Sequence, residues 1–406
     1  MRSIELFTGA GGLALGSHRA GFHHLAVVER DRDSCDTLRL NRERGTIDWP
    51  IHQDDLARFS YADLPQGIDL LAGGPPCQPF SLGGKHRGHE DERNMFPEAV
   101  RAVRELRPRA FLIENVKGLL REAFRPYYEY LVERLRLPLV EHLPGEPWEA
   151  HRERLVAAEA RRWLRRERYQ VAYRLFNAAD FGVPQQRHRV FIAGFRADLG
   201  ASWRFPEPTH SADALLHAQW VTGSYWAEHG LPRPPVPAAL AGRVARLAAG
   251  PPPTLARWTT VRDAIGDLPE PIDYDPDPPA PDHVGIPDAR SYAGHTGSPW
   301  DWPAKAIKAG DHGNPGGENM LRRDDGTVRY FTVRELARLQ TFPDSWRFAS
   351  SWTENRRQLG NAVPVRLAEA MATAVREELA RVDARAAARA SARPAAAEQL
   401  ALVGDD

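Results

Sequence analysis

The first 120 residues place their apolar positions in short runs separated by glycine, proline and charge. The runs at 3–7, 25–28, 69–72 and 109–113 are too short for helices and nearly continuous, the pattern of strands covered on both faces. Between them, 13–20 and 97–106 repeat apolar residues at helical spacing, the first closed by Gly21 as a C-cap. Strands and helices in alternation predict an α/β fold built on a parallel sheet. A further strand is predicted at 171–176.

Later stretches differ. Two helical segments are predicted within 119–168, the second (150–168) carrying Arg and Glu at i, i+3 and i+4 spacing. Acids interspersed among those arginines mark a solvated face rather than a DNA-binding one, and no function attaches to the segment. From 201 to about 326 Pro, Gly, Trp and His dominate, and sixteen of the chain's 34 prolines lie between Leu231 and Pro303. That composition predicts a separate, smaller, irregular domain of loops and short strands, with one short helix at 260–265. Regular structure returns at 331–343, where Thr332 and Glu335 have the spacing of a capping box, and a helix is predicted at 365–379. The Ala/Arg-rich tail beyond Asp383 reads as frayed helix or disorder.

Composition narrows the class. With 42% hydrophobic and 27% charged residues over 406 positions, the chain reads as a soluble globular protein. Lys+Arg and Asp+Glu both number 54, so any polyanion partner must be met by a local basic face. No stretch approaches the ~20 apolar residues of a membrane span. Glu5 interrupts the only N-terminal apolar run, which excludes a signal-peptide pattern. Two cysteines, Cys35 and Cys77, fit a reducing cytoplasm without disulfides.

Candidate chemistry sits at strand ends. Thr8-Gly9-Ala10-Gly11-Gly12 is a strand-to-helix turn whose glycines let the backbone approach a ligand. Glu29 follows Gly9 by 20 residues, the spacing at which an acid meets ribose hydroxyls. Together they indicate a nucleoside-bearing cofactor, NAD or S-adenosylmethionine. Pro75 and Pro76 stop the third apolar run and stiffen the loop that carries Cys77, which is placed to act as a nucleophile. Glu114 is delivered at the end of the fourth run. Arg187 and Arg189, two apart on a strand, share one side and require anionic or carbonyl partners there.

In order, Phe7-Thr8-Gly9-Ala10-Gly11-Gly12, Pro75-Pro76-Cys77-Gln78-Pro79-Phe80-Ser81, Glu114-Asn115-Val116, Gln185-Gln186-Arg187-His188-Arg189, 331–343 and Gly360-Asn361-Ala362-Val363-Pro364-Val365 resemble the motifs of the DNA (cytosine-5) methyltransferases. The resemblance implies a Rossmann-like S-adenosylmethionine-dependent sheet over 1–198, a target-recognition domain over 199–326, a return to the catalytic domain over 327–382 and a disordered tail over 383–406. It places Phe7 against adenine, wraps Gly9, Ala10, Gly11 and Gly12 round the methionine part, sets Glu29 on the ribose, and counts Arg30, Pro75, Asn361 and Val363 with the cofactor site. Asp55 would take the adenine amino group, although Asp54 stands where the family usually has glycine, which leaves both acids open for that contact. Cys77 would attack cytosine C6, protonated Glu114 would meet N3, and Arg189, supported by Arg187, the carbonyl oxygen. Lys85, His86, Arg87 and Arg93 would lie on a loop that closes over DNA. Lys305, Lys308, His312, Arg322, Arg323 and several Trp would offer a DNA face.

The implied partners are double-stranded DNA and a cognate restriction endonuclease, for a cytoplasmic monomer with no metal and no membrane contact. Three alternatives stand beside this one. An RNA cytosine methyltransferase would share the catalytic motifs, but the Cys-Phe-Thr signature of those relatives is absent, the only cysteines being Cys35 and Cys77. A catalytically silent DNA-binding protein does not need intact Cys77, Glu114 and Arg189. A dehydrogenase explains the glycine turn and Glu29 but neither the Cys77 loop nor Glu114.

Overall fold

A computed structural model describes residues 1–76, 94–159, 167–292, 296–310 and 319–402, with side chains as far as Ser391. The N-terminal part runs β1 (Arg2–Leu6), α1 (Gly12–Arg19), β2 (His23–Glu29), α2 (Arg32–Glu43), β3 (Ile51–Gln53), β4 (Leu70–Gly73), α3 (Phe96–Leu106) and β5 (Ala110–Val116). Helices α4 (Arg125–Arg136) and α5 (Trp148–Glu159) precede β6 (Tyr169–Asn177), β7 (Gln185–Gln186) and β8 (His188–Arg196). Seven of these strands form one sheet in the order β3-β2-β1-β4-β5-β8-β6. All of them run parallel except β8, which is antiparallel to both β5 and β6.

The near-continuous apolar runs are explained by two covered faces. Ile4, Leu6, Leu71, Phe111 and Ile113 pack towards α3 and α4, against Phe96, Val103, Tyr128 and Leu131. Leu70, Ala72, Leu112 and Phe191 turn the other way, onto Leu367, Met371, Val375 and Leu379. These four lie on a long C-terminal helix, so the end of the chain covers the sheet that the beginning builds.

Between the sheet and that helix, the chain contains more helix than the composition of 199–326 predicts. After β9 (His210–Ser211) come α6 (Ala212–Leu216), α7 (Ser224–Glu228), α8 (Ala241–Ala249), β10 (Ala256–Arg257) and α9 (Val261–Ile265). Local signals produce them: Ser211 caps α6, Thr260 and Asp263 make a capping box at α9, and Ala and Arg fill α8. Trp220, Trp226 and Trp258 are buried here with Leu215, Leu216 and Val244, so these tryptophans form a core rather than a DNA face. The short strands are β11 (Ser298–Pro299), β12 (Ala304–Lys305), β13 (Met320–Arg322) and β14 (Val328–Tyr330). Lys305 bonds Thr296 and Arg323 pairs with Glu270, while His312 lies outside the described residues.

Three helices follow: α10 (Val333–Leu339), α11 (Trp352–Asn361) and α12 (Val365–Leu402). The Thr332–Glu335 capping box is formed as the spacing predicts. α12 continues past Asp383 as far as Leu402, its Ala and Arg residues having high helix propensity. Asp383 itself pairs with Arg109.

α12 lies against α1 at two positions without a side chain. A Cβ on Gly12 would collide with the Val363 carbonyl, and one on Gly16 would stand 2.7 Å from the Val365 carbonyl and overlap Ala368. Gly16→Ala is therefore expected to destabilise by about 1–3 kcal/mol, despite alanine's better helix propensity. Gly242→Ala in α8, where nothing lies within 4 Å, should be neutral or stabilising. Urea unfolding of the two variants checks the contrast.

Candidate active site

The site begins where β1 gives way to α1. Phe7 takes a left-handed conformation (φ 55°), uncommon for a bulky residue, and turns the chain out of the strand. Gly9 (φ 53°) has open space where a side chain would stand, so the outer side of the turn is a cradle of bare backbone. Gly11 (φ 88°) caps α1, and Ala10 is buried beneath the turn. Glu29, at the end of neighbouring β2, ties the turn down. One carboxylate oxygen accepts the Gly9 N–H at 2.7 Å, and the other those of Arg30 and Asp31, each at 2.8 Å. The oxygen that accepts from Gly9 keeps a further lone pair for a hydroxyl, while the other is filled by its two N–H donors.

Arg30 reaches across to Asp55 at 3.2 Å, making the far rim of the cradle. Asp55 also accepts the Ala57 N–H, the main reason its carboxyl is held below the ordinary range. Asp54 accepts the Asp55 N–H and so closes the bend. Asn361, the exposed last residue of α11, and buried Val363 stand on the extended link to α12, with the Val363 carbonyl on Gly12. An open glycine turn, a partly free carboxylate and a returning link fit a nucleoside cofactor with an amino-acid arm.

The second part lies at the same end of the sheet. Gly73 of β4 pairs with Ile113 of β5, which sets Gly74 beside Glu114, an ideal Cβ on Gly74 lying 3.1 Å from Glu114 Oε2. Asn115 Nδ2 donates to the Pro75 carbonyl at 3.2 Å, and Met95 N–H to the Pro76 carbonyl at 3.3 Å. Both anchors grip the chain immediately before Cys77. Cys77 itself, and the loop with Lys85, His86, Arg87 and Arg93, lie outside the described residues.

Glu114 is buried, and Arg189 Nε on β8 stands 2.7 Å from its Oε1. The register explains this: Val116 pairs with Arg189 and Glu114 with Phe191, so the two side chains are diagonal neighbours on one face. Although they meet at ion-pair distance, the contact is poorly aligned for a hydrogen bond, and both Oε1 and Nε lack an aligned partner. Burial raises the Glu114 pKa, outweighing the opposing pull of Arg189 and Arg187. The arrangement offers a carboxyl and a guanidinium side by side, both incompletely satisfied.

Arg187 stands elsewhere. It is fully buried, donating to the carbonyls of Ile307 at 2.7 Å and of Gly360. Its guanidinium is thus engaged in fastening the strand to the start of the Asn361 link, and its effect on Glu114 is a through-space charge alone. Neighbouring Gln185 donates to Gln340, whose amide donates to the carbonyls of Leu359 and Ala362. Motif order places Gln340 within the 331–343 stretch, but its contact with the link is visible only in three dimensions.

Among the described residues, one group of potential metal ligands, His142, Glu146 and His151, lies elsewhere, at α5 and the loop before it. His151 uses both ring nitrogens, on Tyr130 and Val140, and Glu146 is paired with Arg154. Two of the three are thus committed within the protein.

Glu114 has a consequence for folding. With its native pKa raised by burial, the folded state retains a proton that the unfolded chain releases in the ordinary carboxylate range. Its contribution to stability is complete below that range and is lost as pH rises through the native value. Glu114→Gln cannot titrate, so the wild type should lose more stability than this variant between pH 5 and pH 8, by up to about 1.4 kcal/mol per pH unit in the window. Urea unfolding at both pH values measures it.

Comparison with known proteins places this geometry in context. The model of the C-5 cytosine-specific DNA methylases matches residues 1–136, 150–227 and 290–377, well over half of the chain. The Type II methyltransferase M.NgoMIV of Neisseria gonorrhoeae is 30% identical over 386 residues, covering 93% of this chain and 97% of the relative. M.AquIA of Picosynechococcus, also a Type II methyltransferase, is 40% identical over 215 residues, covering 51% of this chain and 76% of the relative. Among solved structures, a candidate DNA modification methyltransferase from an Escherichia coli prophage superposes with a TM-score of 0.55 at 22% identity, covering 93% of this chain and 99% of that one. The Dnmt2 methyltransferase of S. pombe gives 0.53 at 16%, with 93% and 99% covered, and these two share the fold. The chain belongs to the C-5 cytosine-specific DNA methylase family.

Proposed function

We propose that this DNA cytosine-5 methyltransferase acts through a covalent Cys77 adduct on a cytosine flipped out of a specific double-stranded sequence. The observation that carries the proposal is the Glu114–Arg189 pair, incompletely hydrogen-bonded and set beside the Gly74–Pro76 backbone that leads to Cys77. A carboxyl and a guanidinium so placed match N3 and the carbonyl oxygen of cytosine. The base must leave the stack to meet them, at a cost of a few kcal/mol.

Cytosine C5 is a poor nucleophile. The Cys77 thiolate attacks C6, forming an S–C6 bond and pushing the ring electrons towards C5. Burial shifts Glu114 towards its protonated form, and a proton held there would be shared with N3 as negative charge develops. Arg189 stabilises the carbonyl oxygen electrostatically. Arg187 positions the strand from behind, through the Ile307 and Gly360 carbonyls.

S-adenosylmethionine use is general for the family; when bound, it supplies an electrophilic methyl group. Here Gly9, Ala10, Gly11 and Gly12 would face its methionine part, Phe7 and Asp55 its adenine, and Glu29 its ribose, with Arg30, Pro75, Asn361 and Val363 completing the walls. Loss of the C5 proton to a base then lets Cys77 depart and restores the aromatic ring. By analogy with relatives named as Type II methyltransferases, a cognate restriction endonuclease would cut the same site. A cytoplasmic monomer suffices for this role.

Plasmid DNA incubated with the protein and S-adenosylmethionine, mapped for 5-methylcytosine at base resolution, tests the proposal. One recurring short motif should be methylated. Cys77→Ser should abolish the mark, and Glu114→Gln should lower kcat by about 10²–10⁴. Unmethylated DNA beside methylated RNA would favour the RNA alternative. No methylation of either would favour the silent binding protein.

A further inference from the structure

Two exposed basic side chains stand at the mouth of the Glu114–Arg189 pair. Lys117 opens the turn that follows β5, and His188 begins β8. The last rung between these strands joins Val116 to Arg189, so the next one sets Lys117 opposite His188. They are near enough for the Lys117 charge to disfavour protonation of the His188 ring. Among the described residues, neither side chain forms a hydrogen bond or ion pair. The surface arginines of α4 and α5 are treated differently: Arg125 pairs with Glu129, Arg152 with Glu133 and Arg154 with Glu146.

Their place on the strands indicates what they meet. Asn115 faces the side of β5 opposite Glu114, and there its amide holds the Pro75 carbonyl at 3.2 Å, two residues before Cys77. Lys117 follows Asn115 by two residues and projects to that same side. So does His188, whose strand neighbours Arg187 and Arg189 turn the other way, to Gly360 and to Glu114. A base held by Glu114 and Arg189 and reached from Cys77 lies between the two sides, and its sugar and phosphates must leave over the exposed rim where Lys117 and His188 stand. An ammonium and an imidazole N–H both donate to phosphate oxygens. Asp180, an acid whose charge is felt at His188, is engaged by Trp258 Nε1 at 2.9 Å.

We propose that Lys117 and His188 together bind a backbone phosphate of the nucleotide whose base occupies the Glu114–Arg189 pair. The inference rests on the DNA reading above and adds to it a grip on the flipped nucleotide outside the base itself. In the free protein, burial and the charges of Lys117 and Arg189 hold the His188 pKa below its ordinary value, against the pull of Asp180. A bound phosphate opposes those two charges, so His188 takes up a proton on binding and affinity rises as the pH falls.

The full chain is titrated by fluorescence anisotropy with duplexes carrying the sequence it methylates, one unmodified and two with a neutral methylphosphonate at one or the other phosphate flanking the target cytosine. Lys117→Gln should bind the unmodified duplex about ten-fold more weakly near 0.1 M salt, with a log K against log salt slope shallower by about 0.9. One of the methylphosphonates should weaken the wild type by a similar factor and leave the Lys117→Gln, His188→Asn double variant unaffected. From pH 7.5 to pH 6.0 the wild type should tighten about three-fold more than His188→Asn. Melting temperatures without DNA should match the wild type, since neither side chain loses a partner. An unchanged slope in Lys117→Gln, a wild type indifferent to both methylphosphonates, a double variant as sensitive to them as the wild type, equal pH dependence in His188→Asn or a lowered melting temperature would each overturn the proposal. Wild-type protein that neither binds nor methylates duplex DNA would instead remove the DNA reading itself.

Discussion

The close approach of α12 to α1, made possible by the bare backbone of Gly12 and Gly16, joins the two ends of the chain on one sheet. The glycine turn at this end of the sheet depends on it. The glycine turn is held from one side by Glu29 and from the other by the Val363 carbonyl, so neither the turn nor the 361–364 link is shaped alone. Side chains at these two positions would push the helices apart, and a link only a few residues long could not follow. A contact between residues some 350 positions apart therefore depends on atoms that are absent.

Buried polar groups set the register of the remaining parts. Arg187 holds Gly360 and Ile307, while Gln185 and Gln340 reach Ile307, Leu359 and Ala362. Such a network costs desolvation and returns it only if each member finds its partner. It therefore discriminates strongly between the correct docking of α11 and any shifted one. Glu114 and Arg189 obey the opposite rule. Their contact is close but imperfectly aligned, which gains little stability and leaves hydrogen-bonding capacity unused.

The alternation of strands and helices is legible in the order of amino acids, because strands covered on both faces are apolar at nearly every position. So are the glycine turn with Glu29, the capping box at Thr332 and the strand ends bearing Glu114 and Arg189, since each is a local pattern with a local cause. That Arg187 is a fastener emerges only from packing, because the partners of its buried guanidinium are carbonyls more than a hundred residues away. Packing likewise turned Trp220, Trp226 and Trp258 inward, since composition counts aromatic residues without saying which way they face. The nearness of Lys117 to His188 belongs to the same class: the two lie far apart in the sequence, and only the antiparallel pairing of β5 with β8 sets them side by side.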